Sequence, residues 1–246
     1  MKRLLPLSLG ACLILFWEIG CRAWSVPTYI LPPPSEVLVT AFSQYRTLAH
    51  HGSVTLLEIL SGLALAIAIA LPMASAMFLF PWVERALAPF LVASQAVPVF
   101  ALAPVLVVWF GYGIESKVIM ATVIIFFPLT VNLLEGFKSC DPRHVQLFRM
   151  MGYSKYGTLK KLFWPWALPY FFAGLKVAVS VATIGAVIGE WVGAQKGLGY
   201  LMIQSNARLR IDMVFAAILW LSAIGLVLWW LAGIMSRRYA PWKDRG

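Results

Sequence analysis

Charge is scarce in this 246-residue chain: 12% of residues are charged, and only 10 are acidic, against 61% hydrophobic residues. A soluble domain carries about twice that charge, so a water-exposed globular surface is excluded for most of the length. Cysteine is equally sparse. Cys12, Cys21 and Cys140 are scattered too widely to form a disulfide framework or a metal site. Histidine occurs three times. His50 and His51 are adjacent, and His144 lies a hundred residues away, so no zinc constellation is expected. No G-x-x-x-x-G-K-[ST] phosphate loop occurs anywhere, which leaves the chain without the usual means of holding ATP. No converging nucleophile and base stands out, so a non-catalytic chain without a cofactor is expected.

What is present is long apolar runs, and the mean hydropathy is +0.82. A hydrocarbon core about 30 Å thick is crossed by roughly 20 apolar residues of helix. Six windows of that kind run approximately over Leu4 to Trp24, Val54 to Phe80, Leu87 to Phe110, Val118 to Phe137, Phe171 to Val192 and Met213 to Met235. Their Ala, Leu and Gly content reads as helix and lacks the alternation of a membrane barrel. The fold class expected is therefore an all-α polytopic membrane protein of six helices with no soluble domain. Three parts are expected: residues 1–53 with the first span, a Pro-rich turn and an interfacial helix; a five-span core over 54–235; and a basic tail over 236–246. Lys2 and Arg3 before an apolar run also resemble a signal peptide. The run continues through Trp17 and Glu18, and an uncleaved first span is expected.

Basic residues accumulate in cytoplasmic loops. Placing both ends inside puts 13 of the 20 basic residues on one face: Lys2, Arg3, Arg85, six in the stretch 138–170, and Arg237, Arg238, Lys243 and Arg245. The net charge of +10 then follows from topology and attraction to membrane lipid, not from nucleic-acid binding. After Pro32, Pro33 and Pro34, Ser35 is expected to cap an interfacial helix with Leu38, Phe42 and Tyr45 on one face.

The stretch 138–170 is polar and basic between two apolar spans. Helical stretches are predicted from Arg143 to Met151 and from Lys155 to Leu162, separated by Gly152, Tyr153 and Ser154, with Ser154 capping the second. Pro165 and Pro169 mark the start of the fifth span, where a missing amide donor is harmless. Ionisable or amide groups inside spans are costly in lipid and default to functional candidates: Glu18, Glu58, Gln95, Asn132, Glu135, Lys176 and Glu190. Glu18 is spaced to pair with Arg22 one turn on. Pro98 and Pro104 are expected to bend the third span.

Gly152, followed ten residues later by Leu162 and thirteen later by Pro165, resembles the loop of the membrane permeases of ATP-binding-cassette importers. The glutamate and two small residues common before that glycine are here Gln146, Leu147 and Phe148. Trp17 and Glu18, LPPPS at 31–35, PVFALAPVLVVWFGYG at 98–113 and GEWVGAQKGLGY at 189–200 are similar to the nitrate, sulfonate, taurine and pyrimidine branch of that family. SQAVP at 94–98, FFP at 126–128 and NARLRIDMVFA at 206–216 look most like permeases for the hydroxymethylpyrimidine precursor of thiamine.

The resemblance implies a type I importer fold in a bacterial cytoplasmic membrane. Its implied partners are a second copy of the chain, two cytosolic ATPase subunits and an extracytoplasmic solute-binding protein. It also implies that Gln146, Phe148, Arg149, Gly152, Tyr153, Ser154, Lys155, Tyr156, Leu162 and Pro165 form the ATPase-coupling element. Gln95, Pro98, Asn132, Glu190 and Trp191 are the candidates for the translocation pathway. Alternatives are a sulfonate, taurine, nitrate or riboflavin permease of the same family, or an ion-coupled secondary transporter. The last would show an internal repeat, and none is visible between residues 1–123 and 124–246.

Overall fold

The computed structural model describes residues 5–241; Lys2, Arg3, Lys243 and Arg245 lie outside the described residues. Eleven α-helices and one π-helical turn follow one another, with no strand among the described residues: α1 Leu5–Ala23, α2 Pro34–Ser43, α3 Tyr45–Leu79, α4 Pro81–Ala96, α5 Val99–Phe110, α6 Ile114–Lys138, α7 Pro142–Met150, α8 Lys155–Thr158, the π-turn Leu159–Phe163, α9 Trp164–Trp191, α10 Leu198–Ala207 and α11 Ile211–Tyr239. Four of the described helices are long and apolar enough to cross a membrane: α3, α6, the continuous Lys155–Trp191 and α11. The bent pair α4 and α5 makes a fifth if counted as one span. Helix α1 lies where the first span was predicted but is not among them.

The third span, expected over Leu87 to Phe110 with Pro98 and Pro104 bending it, divides into α4 and α5, which are bent by 102° at their junction. Pro98 has no amide donor, and its ring forces the preceding residue out of the α region. Val97 is accordingly extended, at φ −74° and ψ 123°. Pro104 sits inside α5 without breaking it, so one of the two prolines makes the bend.

Helix α2 also begins earlier than its expected cap. Pro33 precedes it in extended conformation and Pro34 occupies the first turn, where proline suits the helix best. Ser35 is thereby released for another task. Its backbone N–H donates to Glu18 Oε2 at 3.0 Å and its hydroxyl to Glu18 Oε1 at 2.8 Å, while Arg22 Nε donates to Glu18 Oε1 at 2.6 Å. The pairing of Glu18 with Arg22 is the expected one. Together these bonds seat a carboxylate on the positive end of α2 and tie α1 to it.

Helices α6, α9 and α3 form the centre. Inside lipid, association cannot draw on the hydrophobic effect, so close approach of small residues carries it. At Gly174 of α9 an added Cβ would lie 2.8 Å from Asn132 Cβ and 2.9 Å from Pro128 O of α6; at Gly62 of α3 it would lie 2.6 Å from Ala121 Cβ. Around those contacts Ile59, Ala66, Ala121, Ile125, Ala178 and Ala182 are fully buried. A second cluster, containing Met77, Leu133, Phe137, Leu159 and Ala167, joins the ends of α3, α6 and α9, and the stretch 138–163 rests on it.

Candidate functional site

The stretch between α6 and α9 folds as a capped elbow. Asp141 accepts from Arg143 N at 2.8 Å and starts α7, with Pro142 in its first turn. The helix ends where Gly152 N donates to Arg149 O at 3.0 Å and Tyr153 N to Phe148 O at 3.1 Å. That pair of bonds closes a helix through a left-handed residue, and Gly152 supplies it at φ +77°. Ser154 caps α8 as its position predicts: its hydroxyl accepts from Gly157 N at 3.1 Å. Ring stacking of Phe148 on Tyr153, 5.0 Å between centroids, and Lys161 Nζ 4.9 Å above Tyr153 lock the two arms together.

Below the elbow, α8 runs into the π-turn and then α9 without a break. Trp164 N reaches back to Leu159 O, five residues away, and the widened turn absorbs the amide missing at Pro165. Leu162 is buried, as is Leu159, whereas Pro165 is exposed. Phe163 meets Phe78 of α3 edge-on at 4.5 Å. The elbow is thus fixed rigidly to the bundle, and its outer surface stays open. Gln146, Arg149, Lys155 and Tyr156 are exposed there, together with Leu147, Met150 and Met151. Met150 is 79% and Tyr156 71% exposed. Exposed methionine and tyrosine beside basic residues suit a protein partner. Leu147, Met150 and Met151 were missed in the sequence reading, although their spacing on α7 was there to be read. Behind the elbow, burial pushes the Cys140 thiol up from its usual range, and Asp141 adds to the shift.

The pathway candidates separate into three places. Gln95 and Pro98 lie exposed at the α4–α5 bend, with Gln95 Nε2 3.3 Å from Ser94 Oγ. Trp191 packs its ring against Phe100, 5.8 Å away, just past that bend. Asn132 sits in the α6–α9 contact and donates to Pro128 O at 2.8 Å.

Glu190 is instead the hub of a buried polar cluster. Its Oε1 accepts from Thr55 Oγ1 of α3 at 2.6 Å, and its Oε2 accepts from Gly199 N at the start of α10. Thr55 Oγ1 in turn accepts from Leu198 N at 2.8 Å, and His51 Nδ1 accepts from Gly197 N at 3.1 Å. Three consecutive amides at the start of α10 are therefore satisfied by side chains of α3 and α9. Gly197, at φ +113°, leaves no space for a side chain, because a Cβ there would meet the Glu190 carboxyl group.

Glu58, one turn below Thr55, is buried, and its Oε2 has no hydrogen-bond partner. Lys117 Nζ donates to Tyr112 O and Gly113 O at 2.7 and 2.9 Å, closing the turn between α5 and α6. The cluster holds the segment 192–197 against the bundle beside the α4–α5 bend. Sequence reading singled out Glu190 and its glycines but missed Thr55, His51 and Lys117. The partners of Thr55 and His51 lie up to 146 positions away in sequence, beyond any local pattern, whereas those of Lys117 are four and five residues away. Among the described residues no group of three or more His, Cys, Asp or Glu is placed to hold a metal ion.

Comparison with known proteins identifies the family. The chain is 42% identical over 239 residues to a probable ABC transporter permease protein of Haemophilus influenzae, covering 97% of this chain and 98% of that protein. It is 40% identical over 234 residues to the formylaminopyrimidine transport permease protein ThiX of Halalkalibacterium halodurans, covering 95% and 93%. It is 35% identical over 241 residues to the riboflavin transport system permease protein RibX of Chloroflexus aurantiacus, covering 97% and 90%. Residues 59–241, from α3 to the end of α11, match the family described as binding-protein-dependent transport system inner membrane component, and the chain, a multi-pass ABC transporter permease, belongs to that family.

Proposed function

We propose that this chain forms the translocation pathway of an ATP-driven importer for a small polar pyrimidine, the hydroxymethylpyrimidine precursor of thiamine. The capped elbow carries the reading. It is fixed to α3, α6 and α9 on one side and exposes Leu147, Met150, Met151 and Tyr156 on the other, the form required of a part that receives force from a separate ATPase. In this reading the elbow is cytoplasmic, as are both chain ends, and two copies of the chain stand over two ATPase subunits. Gln146, Phe148, Arg149, Gly152, Tyr153, Ser154, Lys155, Tyr156, Leu162 and Pro165 make or support the docking surface. Closure of the ATPase pair rocks the bundles between inward-open and outward-open states, moving rigid elements about their hinges. Gln95, Pro98 and Trp191 face the solute path at the α4–α5 bend. Asn132 and Glu190 hold the walls of that path, and an extracytoplasmic binding protein delivers the solute.

The pyrimidine assignment rests on the 40% identity with a formylaminopyrimidine permease and on the SQAVP, FFP and NARLRIDMVFA segments. Proteoliposomes containing the permease, its ATPase and its binding protein test it. Uptake of radiolabelled hydroxymethylpyrimidine should require ATP, and excess formylaminopyrimidine should compete. Uptake of riboflavin in preference to the pyrimidine reassigns the solute. Uptake that ignores ATP and follows an ion gradient eliminates the importer reading.

A further inference from the structure

At the C-terminal end of α11 a pocket of about 340 Å³ opens between α9 and α11, walled by Lys176, Trp229, Trp230, Gly233, Ser236 and Arg237. Lys176 reaches it from the middle of α9. Its Cε passes 3.5 Å from where a Cβ on Gly233 would lie, an ordinary packing distance, and its Nζ rests 5.2 Å from the Trp229 ring. No carboxylate lies within 4 Å of Lys176 or Arg237 among the described residues. Two cations share one pocket, and no described residue supplies a counter-ion.

Depth identifies the environment. A hydrocarbon core crossed by about 20 helical residues, counted from Ile211, ends near Leu231. The Trp229–Trp230 pair then sits at the level where amphipathic rings mark the membrane–water boundary, and Ser236 and Arg237 lie among headgroups. Lys176 reaches that level by extending along α11. Above the pocket, sharing Trp229, a mainly apolar groove of about 420 Å³ continues between α9 and α11 past Leu221, Gly225 and Leu226.

We infer that this pocket is a binding site for an anionic phospholipid, its phosphate held by Lys176, Arg237 and Ser236 and one acyl chain lying in the groove above Trp229. The groove is the reason to name a lipid and not a free anion: phosphate alone has no use for an apolar wall continuous with its site. Basic pockets between membrane helices recognise such headgroups. The site is separate from the elbow and from the Glu190 cluster, and it does not depend on the solute.

The full-length chain, purified in neutral detergent and offered equal phosphatidylglycerol and phosphatidylcholine, tests this by native mass spectrometry. The wild-type chain should retain phosphatidylglycerol with a preference of about 25-fold, each cation contributing about fivefold. The double variant Lys176→Gln with Arg237→Gln should lose that preference. Arg208→Gln, in the turn between α10 and the opposite end of α11, should keep it. Inorganic phosphate at millimolar concentration should leave the bound lipid in place. Equal retention of the two lipids by the wild-type chain overturns the inference without any variant. So does displacement of the lipid by inorganic phosphate, which would make the occupant a free anion. Because the double variant removes charges at depth, the charge-preserving pair Lys176→Arg with Arg237→Lys serves as the folding control and should retain the preference.

Discussion

Two residues show how differently a single position can act in this permease. Gly152 is held at φ +77° with open space around it, so a side chain there meets no neighbour and strains only the backbone. A β-branched residue in that conformation costs about 1–3 kcal/mol, enough to open the turn joining α7 to α8 but too little to unfold a bundle. Gly152→Val should insert normally and lower ATP-driven uptake in proteoliposomes at least about tenfold, with ATP hydrolysis largely retained. Unchanged uptake would remove the elbow from the coupling path. Glu190 acts through bonds that are all internal. Its two oxygens accept from Thr55 and Gly199 on opposite sides, and glutamine offers only one acceptor oxygen. Glu190→Gln therefore leaves a buried donor facing an amide, a loss of about 1–3 kcal/mol, and should lower the melting temperature measured in detergent. Glu58→Gln should not, because its buried Oε2 makes no hydrogen bond to lose. Equal destabilisation by both would show that the cluster has no centre at Glu190.

At the scale of elements, the α4–α5 junction is the place where one residue sets the path of the chain. Pro98→Ala restores an amide donor and frees Val97 to become helical. Spin labels placed on α4 and α5 should then move apart as the 102° bend opens, and uptake should fall; unchanged label distances would mean that neighbouring helices, not Pro98, enforce the bend.

The same region shows what the sequence could and could not reveal. Elements defined by local chemistry were legible: the two arms of the elbow, the turn at Gly152, the cap at Ser154 and the Glu18–Arg22 pair each depend on residues within about a turn of one another. The long spans were legible from hydropathy, although α3 starts at Tyr45 and not at Val54, because polar residues of its first turns pack against α10 and α11 and do not interrupt the helix. The π-turn at Leu159–Phe163 was hidden, since a proline reads the same after a widened turn as at a fresh start. Thr55 and His51 were hidden because the amides they cap belong to α10, more than 140 positions away.

Across the whole molecule, α8, the π-turn and α9 form one uninterrupted rod of 37 residues, Lys155–Trp191, about 55 Å long at 1.5 Å per residue. Its first residues belong to the elbow, and its last two, Glu190 and Trp191, bond Gly199 at the start of α10 and pack on Phe100 just past the α4–α5 bend. On the coupling role proposed for the elbow, a rod with the docking surface at one end and the polar latch at the other needs no relay of side chains, and displacement of the elbow moves the latch directly. The close contacts at Gly174 and Gly185 against α6 keep the rod from bending as it moves. A hinge in mid-rod should therefore separate the two ends functionally while leaving each intact. Val181→Pro removes one backbone hydrogen bond and costs about 3 kcal/mol. The milder pair Ala178→Gly with Ala182→Gly costs about 1 kcal/mol per site and guards against misfolding of the proline variant. Both should still bind the ATPase on co-purification, and both should lose uptake, the proline variant more completely. If the glycine pair transports at the wild-type rate and the proline variant keeps more than about half of it, the rod is not the coupling element, and force must pass from the elbow through α3 or α6.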